Sequence, residues 1–416
     1  GPGTRRGTGP VRVAFVVPRY GPRIIGGAET AARLLAEHLA ARPGWHVDVL
    51  TTCAEDFVTW EDVLAPGQET IAGVRVHRFR SAAGRDPSFH PLSAALLADP
   101  GAASLSDAER WLDLQGPVTP DLAEAAADWP ADVLAFYPYL YYPTARVIDR
   151  VAAPTVLHPA AHNEPALDLP VFPRVFAAAD ALVFQTEAER ALVQARFPVA
   201  SHHQVLLGLG VDDPDLRSPV AGSGAGATPD APYLLCLGRM DGHKGTTMLA
   251  GFFARYKARH PGPLRLVLAG PVVEAPPAHP EIDVLGPVDD DQKWRLLEGA
   301  AALVSPSPWE AFSLVVCEAW SARTPVVVNA ACGATVEHCR RSGGGVAFDG
   351  FATFEAVIDL LTGRPEVGAA LGRRGRAYVD GRFRWGVIID RYAAFLEAVV
   401  ARGRRTGPHG APVRRR

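Results

Sequence analysis

The sequence lacks the features that identify several classes of protein. Its five cysteines are odd in number and never spaced as Cys-x-x-Cys, which argues against a disulfide framework and predicts reduced thiols in a cytoplasmic protein. No signal peptide is recognised, and no apolar run approaches the roughly 18 residues that a membrane helix requires. The net charge of −3 gives no basic surface for nucleic acid, so no nucleic-acid partner is expected.

Two chemical motifs are also missing. The first Gly-rich turn, at residues 26–29, does not carry the Gly-x-Gly-x-x-Gly fingerprint, which counts against a dehydrogenase. Cys332, His338 and Cys339 are not accompanied by a fourth ligand cluster, so no metal site is expected. What is present is a chain of 416 residues, 48% hydrophobic and 21% charged, which predicts a soluble protein of two or three domains.

Strand-like apolar runs alternate with helical patterns in two halves of the chain. In the first half, 11–18 predicts a strand and 28–41 a helix, and residues 83–130 interrupt the alternation as an insertion with one or two helices. A stretch rich in Pro, Gly and Ser at 213–230 predicts a linker, after which a strand at 233–238 restarts the pattern. This alternation predicts an α/β protein with two Rossmann-like domains that face a central cleft.

These patterns also set the expected domain boundaries. The opening Gly-Pro-Gly resembles a tag remnant, and the residues before Val11 are left out of the predicted fold. The predicted segments are a first domain at 11–212, the linker at 213–230, a second domain at 231–380, a helix at 381–400 that returns to the first domain, and a disordered tail at 401–416.

Two carboxylates lie eight residues apart: Glu310 follows a strand-like run and a Ser-Pro-Ser-Pro turn, and Glu318 lies inside a predicted apolar helix. At about 2.2 helical turns apart they would share one helix face without touching. Such a pair could hold two parts of a polyhydroxyl ligand, such as the sugar and the ribose of a sugar nucleotide. The alternative is a helix-capping Glu followed by a solvated one.

The loop at 238–245 carries two cations, Arg239 and Lys244, in a Gly-rich strand-to-helix turn. A guanidinium fork, a compact ammonium and the N-terminus of the next helix together suit a diphosphate. The alternative is a surface turn with two exposed basic residues. Gly26 and Gly27 form a second strand-to-helix turn, in which the missing side chains would let backbone N–H groups approach an anion.

Polar and aromatic residues follow two strands predicted in the first half. His158 and His162 lie in an irregular segment after the strand at 155–157, which is a typical place for site residues. An aromatic cluster precedes them, and we interpret it either as packing around two prolines or as a wall that stacks on an acceptor. Its members are Tyr137, Tyr139, Tyr141 and Tyr142.

From residue 11 to about 396 the chain resembles the retaining, nucleotide-sugar-dependent glycosyltransferases of family 4, which have the two-domain GT-B fold. The resemblance rests on four landmarks in the expected order, of which the last two are the most specific. They are the turn at 26–29, the histidine after a strand of the first half, Gly238-Arg239 with Lys244-Gly245, and Glu310 with Glu318.

The resemblance implies a role for each donor residue. Arg239 and Lys244 would bind the donor diphosphate and stabilise the departing nucleotide. Glu318 would hold the ribose hydroxyls and Glu310 would contact the donor sugar. No divalent metal is expected, because the two cations supply the positive charge that a metal otherwise would. No cofactor is expected either, since the nucleoside-diphosphate sugar is a co-substrate.

Backbone groups complete the implied donor site, and the remaining residues are assigned to the acceptor. N–H groups at Phe312, Ser313 and Leu314 would lie near the sugar and phosphate, and Gly26 and Gly27 would line the diphosphate. The first domain, with the histidines, the tyrosines and the insertion, would bind the hydroxyl acceptor.

Three departures from the family pattern are visible. Ser313 occupies a position where Gly is frequent, and 208–212 lacks the Asn that often precedes Gly-Val-Asp. The site histidine is ambiguous, because His158 fits by its distance from the strand and His162 fits through the Asn that follows it.

Other functions remain compatible with the same scaffold. A sugar-nucleotide epimerase, a phosphorylase or a non-catalytic nucleotide-binding module would use many of the same residues. The sequence leaves open the base, the sugar, the oligomeric state and the acceptor, which could be a glycan, a small metabolite or a lipid-linked glycan reached by peripheral membrane contact.

Overall fold

The computed structural model describes residues 9–24, 26–216 and 229–404. Most of the predicted linker, at 217–228, and most of the predicted tail, at 405–416, lie outside these residues, as do residues 1–8. The chain divides into two compact units. The first comprises the chain up to Gln185, then 189–207 and everything from Ile389, and the second comprises 186–188 and 208–388.

The first unit is built on an eight-stranded sheet in which every neighbouring pair is parallel except β3 with β4. The strand order is β3-β4-β2-β1-β5-β6-β7-β8. Strands β5 and β7 are apolar throughout, as expected for strands that are buried on both faces. The strands are β1 Val11–Val16, β2 Trp45–Thr52, β3 Gly67–Ile71, β4 Val74–Phe79, β5 Val133–Phe136, β6 Thr155–Leu157, β7 Ala181–Phe184 and β8 His203–Leu206.

Helices connect these strands as the alternating pattern predicts. The helix after β1 spans Gly27–Ala40, one residue earlier at each end than its predicted range. The helices up to β8 are α1 Gly27–Ala40, α2 Phe89–Ala98, α3 Leu105–Gln115, α4 Pro120–Ala127, α5 Tyr142–Ala145, α6 Phe172–Ala178 and α7 Glu187–Arg196.

The insertion at 83–130 contains three α-helices, α2 to α4, where one or two were expected. Helix α3 begins where the Ser104 hydroxyl accepts the N–H of Asp107 at 3.1 Å, a regular N-cap. Trp111 and Leu122 are buried in the same hydrophobic cluster as Phe136 of the sheet. The insertion is therefore part of the core of the first unit.

The second unit contains a six-stranded, wholly parallel sheet with the order β11-β10-β9-β12-β13-β14. Its strands are β9 Tyr233–Leu237, β10 Arg265–Ala269, β11 Ile282–Gly286, β12 Ala302–Ser305, β13 Val326–Asn329 and β14 Gly345–Phe348. Its helices are α8 Thr246–Arg259, α9 Asp290–Gly299, α10 Leu314–Ser321, α11 Gly333–Ser342, α12 Phe351–Gly363 and α13 Pro365–Arg382.

The last helix, α14, spans Trp385–Arg402. From Ile389 onward its residues belong to the first unit. There Tyr392 is buried beside Phe15 of β1, with ring centroids 6.4 Å apart, and Arg391 donates to the carbonyl of Leu207.

Candidate functional site

The loop that follows β9 is organised by Asp241. This buried carboxylate accepts the backbone N–H of Lys244 at 2.7 Å through Oδ1 and the Nε of Arg239 through Oδ2. The turn closes at Gly245, whose φ of 75° is left-handed and where a Cβ would lie 2.6 Å from the Pro306 carbonyl oxygen. The predicted cation pair is thus held by an aspartate that sequence reasoning did not single out.

The two predicted cation and carboxylate motifs meet in an ion pair. Lys244 Nζ lies 2.7 Å from Glu310 Oε1, and both side chains are partly exposed. The pairing has a simple topological cause, because β9 and β12 are adjacent parallel strands and the loops after them leave the same edge of the sheet. Sequence spacing predicted each motif separately, and the sheet brings them together.

Glu310 is not part of the helix that carries Glu318. Helix α10 begins at Leu314, after Ser313 with a left-handed φ of 68°, so the expectation of two carboxylates on one helix face is wrong. A side chain in that conformation costs on the order of 1 kcal/mol, which explains why Gly suits this position. The Ser313 hydroxyl is buried and accepts or donates no hydrogen bond among the described residues.

Glu318 has its own cationic partner, Lys293 of α9. The two side chains meet at 2.8 Å, and Lys293 also lies 3.1 Å from Asp290. Burial disfavours the charge on Lys293, but Glu318 and Asp290 outweigh burial and raise its pKa. Lys293 was not predicted from the sequence, because a single Lys on an amphipathic helix carries no distinguishing signal.

Phe312 contributes only its backbone to any ligand. Its buried ring packs edge-on against Phe383 and His338, with centroids 5.1 and 4.8 Å away. Burial lowers the pKa of His338 to about 4. The N–H groups of Leu314 and Val315, the first two of α10, have no partner within the helix, whereas the Val316 N–H already donates to the Ser313 carbonyl at 3.2 Å.

In the first unit, the turn before α1 contains a buried ion pair. Arg19 donates to Glu29 through Nε at 3.0 Å and through a terminal nitrogen at 2.6 Å. The Glu29 carboxylate lies so close to Gly26 that a Cβ there would be 2.3 Å from it, whereas Gly27 has open space around its Cα. Glycine at 26 is therefore required by a close approach, and Arg19 is a residue that sequence reasoning missed.

The structure separates the two candidate histidines. His158 is buried, stacks on Tyr137 and lies 2.9 Å from the Tyr392 hydroxyl through Nε2. Burial lowers its pKa to about 3, so it is neutral at physiological pH. His162 is partly exposed and lies 3.5 Å from a Glu164 oxygen. Of the pair, only His162 presents a surface to a ligand.

The expected aromatic wall is reduced to two residues. Tyr137 and Tyr139 are buried in the core, where the Tyr137 hydroxyl accepts from Gln185 and the Tyr139 hydroxyl donates to Glu164. Their rings cannot stack on a ligand, because both faces pack against protein. Tyr141 and Tyr142 are partly exposed and stay candidates.

The described residues show neither a metal-binding group nor a membrane-spanning helix. In the ranges 9–24, 26–216 and 229–404, no three His, Cys, Asp or Glu side chains form a group that could hold a metal ion. No helix in those ranges is both long enough and apolar enough to cross a membrane.

Comparison with known proteins follows the division into two units. Residues 26–210 match the family model described as glycosyl transferase 4-like domain, and residues 231–362 match the model described as glycosyl transferases group 1. Among curated protein sequences, none matches the chain.

Three solved structures illustrate the fold. Sucrose-phosphate synthase from Thermosynechococcus elongatus is 18% identical with a TM-score of 0.67, covering 94% of this chain and 100% of its own. Trehalose 6-phosphate synthase from Burkholderia multivorans is 14% identical, with a TM-score of 0.65 and coverages of 95% and 100%. HepE from Anabaena, in complex with UDP and glucose, is 15% identical, with a TM-score of 0.64 and coverages of 93% and 100%. At these identities the likeness shows the fold, two Rossmann-like domains.

Proposed function

The chain belongs to the glycosyltransferases, with a 4-like domain ahead of a group 1 domain, and we propose that it moves a sugar from a nucleoside-diphosphate sugar to a hydroxyl acceptor with retention of the anomeric configuration. The second unit would bind the donor and the first unit the acceptor. Support for this division comes from the cation and carboxylate pairs in the second unit and from the accessible Tyr141, Tyr142 and His162 in the first.

The observation that carries the proposal is the ion pair between Lys244 and Glu310, 2.7 Å apart at the edge of the sheet. A diphosphate offers the ammonium group a stronger partner than one carboxylate does, since it carries more negative charge. Glu310 would then accept hydrogen bonds from the sugar hydroxyls. Under this proposal, the sugar and the diphosphate would meet at the Lys244–Glu310 pair.

Arg239 would hold the diphosphate from the other end of the loop. Its Nε is oriented by Asp241, and the planar fork of its guanidinium would match two phosphate oxygens. As the bond between the sugar and the diphosphate breaks, negative charge grows on the leaving oxygen. Two fixed cations stabilise that charge without rearranging, which is the usual origin of large electrostatic rate effects.

Glu318 would accept two hydroxyl hydrogen bonds from the ribose. Its pairing with Lys293 limits the rotamers of the carboxylate, so the side chain is oriented to accept hydrogen bonds from a diol. Two structures of Anabaena HepE are complexes, one with UDP and glucose and one with UDP-glucose. Those ligands support a nucleotide-sugar donor for this chain as well.

The test is donor consumption in the cation variants. Nucleoside diphosphate release would be followed for a panel of UDP-, GDP-, ADP- and dTDP-sugars, first with wild-type protein. Charge-assisted hydrogen bonds contribute about 1.5–3 kcal/mol each, so Arg239→Ala and Lys244→Ala should each lower kcat/KM at least about tenfold.

The control for this experiment is Arg340→Ala, which removes an exposed positive charge from helix α11. It should leave kcat/KM unchanged. Wild-type activity in both Arg239→Ala and Lys244→Ala would reject the assignment of the diphosphate site.

A further inference from the structure

Arg85 lies in the insertion of the first unit, and its guanidinium group has no counter-ion among the described residues. Its Nε donates to the carbonyl of Gln115 at 3.4 Å, and its guanidinium carbon lies 4.8 Å from the centre of the Phe89 ring. No carboxylate among residues 9–24, 26–216 and 229–404 lies within ion-pair distance of it. The two terminal nitrogens are therefore free to bind a ligand.

The topology places Arg85 at the functional edge of the sheet. It follows β4, whose parallel neighbour is β2, so the loops after both strands leave the same edge. A backbone hydrogen bond joins the two loops, in which the main-chain N–H of Arg85 donates to the Thr59 carbonyl at 2.9 Å. Gly84 makes this approach possible, since a Cβ at that position would lie 2.3 Å from the Thr59 oxygen.

Two buried polar side-chain groups near Arg85 lack hydrogen-bond partners among the described residues. Trp60 is buried next to Thr59, and its indole N–H has no hydrogen-bond partner among the described residues. The same holds for the side-chain oxygen of Gln115, the residue whose carbonyl holds Arg85. Buried polar groups are normally paired, so unpaired ones in a cluster indicate a place where a ligand or water completes the bonds.

Tyr141 closes the cluster from the loop after β5. Its ring meets Trp60 edge-on, with centroids 5.1 Å apart. Burial raises the pKa of the Tyr141 hydroxyl, Glu29 and Glu164 raise it further, and Arg85 and Arg19 lower it, so Arg85 is one of four charges that act on this hydroxyl. The hydroxyl remains protonated and makes no hydrogen bond with a described residue, which leaves it able to donate.

The charges around Arg85 do not neutralise it. Arg19 and Glu29 neutralise each other in their buried ion pair. Burial lowers the pKa of Arg85 against the opposing effects of Tyr141 and Asp56, but Asp56 lies beyond ion-pair distance, and its carboxylate accepts the N–H groups of Val58 and Thr59 at 2.7 and 2.8 Å. A cation that is partly removed from water and lacks a counter-ion is unfavourable, and an anionic ligand would remove that cost.

We propose that Arg85 binds an oxyanion of the acceptor, a phosphate or a carboxylate, with the Tyr141 hydroxyl donating a further hydrogen bond. The planar fork of a guanidinium matches the two oxygens of either group. The acceptor of this glycosyltransferase is then a hydroxyl compound that carries a negative charge. This inference rests on the proposed function, because it assigns the first unit to the acceptor.

The experiment measures binding of small oxyanions with the donor site filled. The protein is first saturated with the nucleoside diphosphate that it binds best, and inorganic phosphate, glucuronate and glucose are then titrated in separate calorimetric runs. Phosphate and glucuronate represent the two possible anions, and glucose is the neutral reference. We expect at least one anion to bind at least about tenfold more tightly than glucose, which corresponds to about 1.4 kcal/mol.

The variants locate the binding. Arg85→Gln should abolish the preference for the anion, Arg85→Lys should retain part of it, and Tyr141→Phe should weaken it severalfold. Arg110→Gln, which removes an exposed positive charge from the same insertion, is the matched control and should keep the preference. Nucleoside diphosphate binding and the unfolding temperature of each variant report whether it is folded.

The outcomes separate this inference from the proposed function. Unchanged anion binding in both Arg85 variants, or no preference of the wild-type protein for either anion over glucose, would overturn the acceptor site while nucleotide binding still supports the donor site. If no nucleotide binds, the proposed function fails, and phosphate titration of the free protein with the Arg85 variants still decides the anion site.

Discussion

The residues predicted for the site differ in how far their side chains are buried. Arg239, Lys244, Glu310 and Glu318 are partly exposed and take part in ion pairs, so a ligand can reach them. His158 is the opposite case, a buried histidine with a neutral ring that hydrogen-bonds to Tyr392. Its contribution is to stability, and that contribution depends on pH.

A pH dependence of unfolding follows from the lowered pKa of His158. Burial lowers this pKa from 6.5 to about 3. As the pH falls below 6.5 the unfolded chain binds a proton that the folded chain refuses, so folding stability is lost progressively down to the folded-state pKa. Between about pH 7.5 and pH 5 this histidine should account for a loss of about 2 kcal/mol.

The measurement is urea unfolding at both pH values for wild type and His158→Gln, whose amide can still hydrogen-bond to Tyr392. The variant should be less stable at the higher pH and show a pH dependence that is smaller by about 2 kcal/mol. The same pH dependence in both proteins would mean that His158 is not buried as a neutral ring.

At the scale of elements, helix packing decides which helix glycines can be replaced by a residue with a Cβ. Gly372 lies in the middle of α13, and a Cβ there would be 1.8 Å from the Arg323 carbonyl oxygen. Gly251 lies in the middle of α8 and has no atom within 4 Å of the position that a Cβ would take. Helix propensity alone predicts the same effect of alanine at both positions. Their surroundings differ, because only at Gly372 would a Cβ meet other atoms.

Alanine at these two positions should have opposite effects. Gly251→Ala should stabilise the protein by about 0.5–1 kcal/mol, because alanine loses less backbone freedom on folding. Gly372→Ala should destabilise it by about 1–3 kcal/mol, since α13 and the turn that follows α10 must move apart. Thermal unfolding of both variants checks this pair, and stabilisation by Gly372→Ala would contradict the packing.

The same scale shows what the sequence could predict. The α/β alternation and the glycine-rich loops were recognisable, because apolar period and turn chemistry are local. The pairing of Lys244 with Glu310 depends on two strands being neighbours, which no local pattern encodes. The burial of Tyr137 and Tyr139 was also invisible, because an aromatic run reads the same on a surface and in a core. Asp241 and Lys293 carry no motif of their own.

At the scale of the whole molecule, the two units have separate cores and separate sets of site residues. The second unit holds the paired cations and carboxylates that we propose for the donor, and the first unit holds the residues that we propose for the acceptor. The insertion packs into the core of the first unit through Trp111 and Leu122, so single substitutions, and not deletions, are the appropriate probes of it.

Sugar transfer should not require a divalent metal, because Arg239 and Lys244 supply the charge that stabilises the departing diphosphate. Transfer would be measured with purified protein after extensive treatment with EDTA, with and without added Mg²⁺ or Mn²⁺. Activity should be unchanged. Loss of activity in the chelator, together with recovery on adding either metal, would contradict this view of the leaving group.

The central claim is that the second unit recognises a nucleoside diphosphate, with Glu318 reading the ribose. The most direct measurement is calorimetric titration of the preferred nucleoside diphosphate and its 2′-deoxy analogue into wild type and Glu318→Gln. Wild type should bind the ribonucleotide at least about tenfold more tightly, and the variant should lose affinity for it and most of this preference. Equal affinity of both proteins for the ribonucleotide would contradict the account.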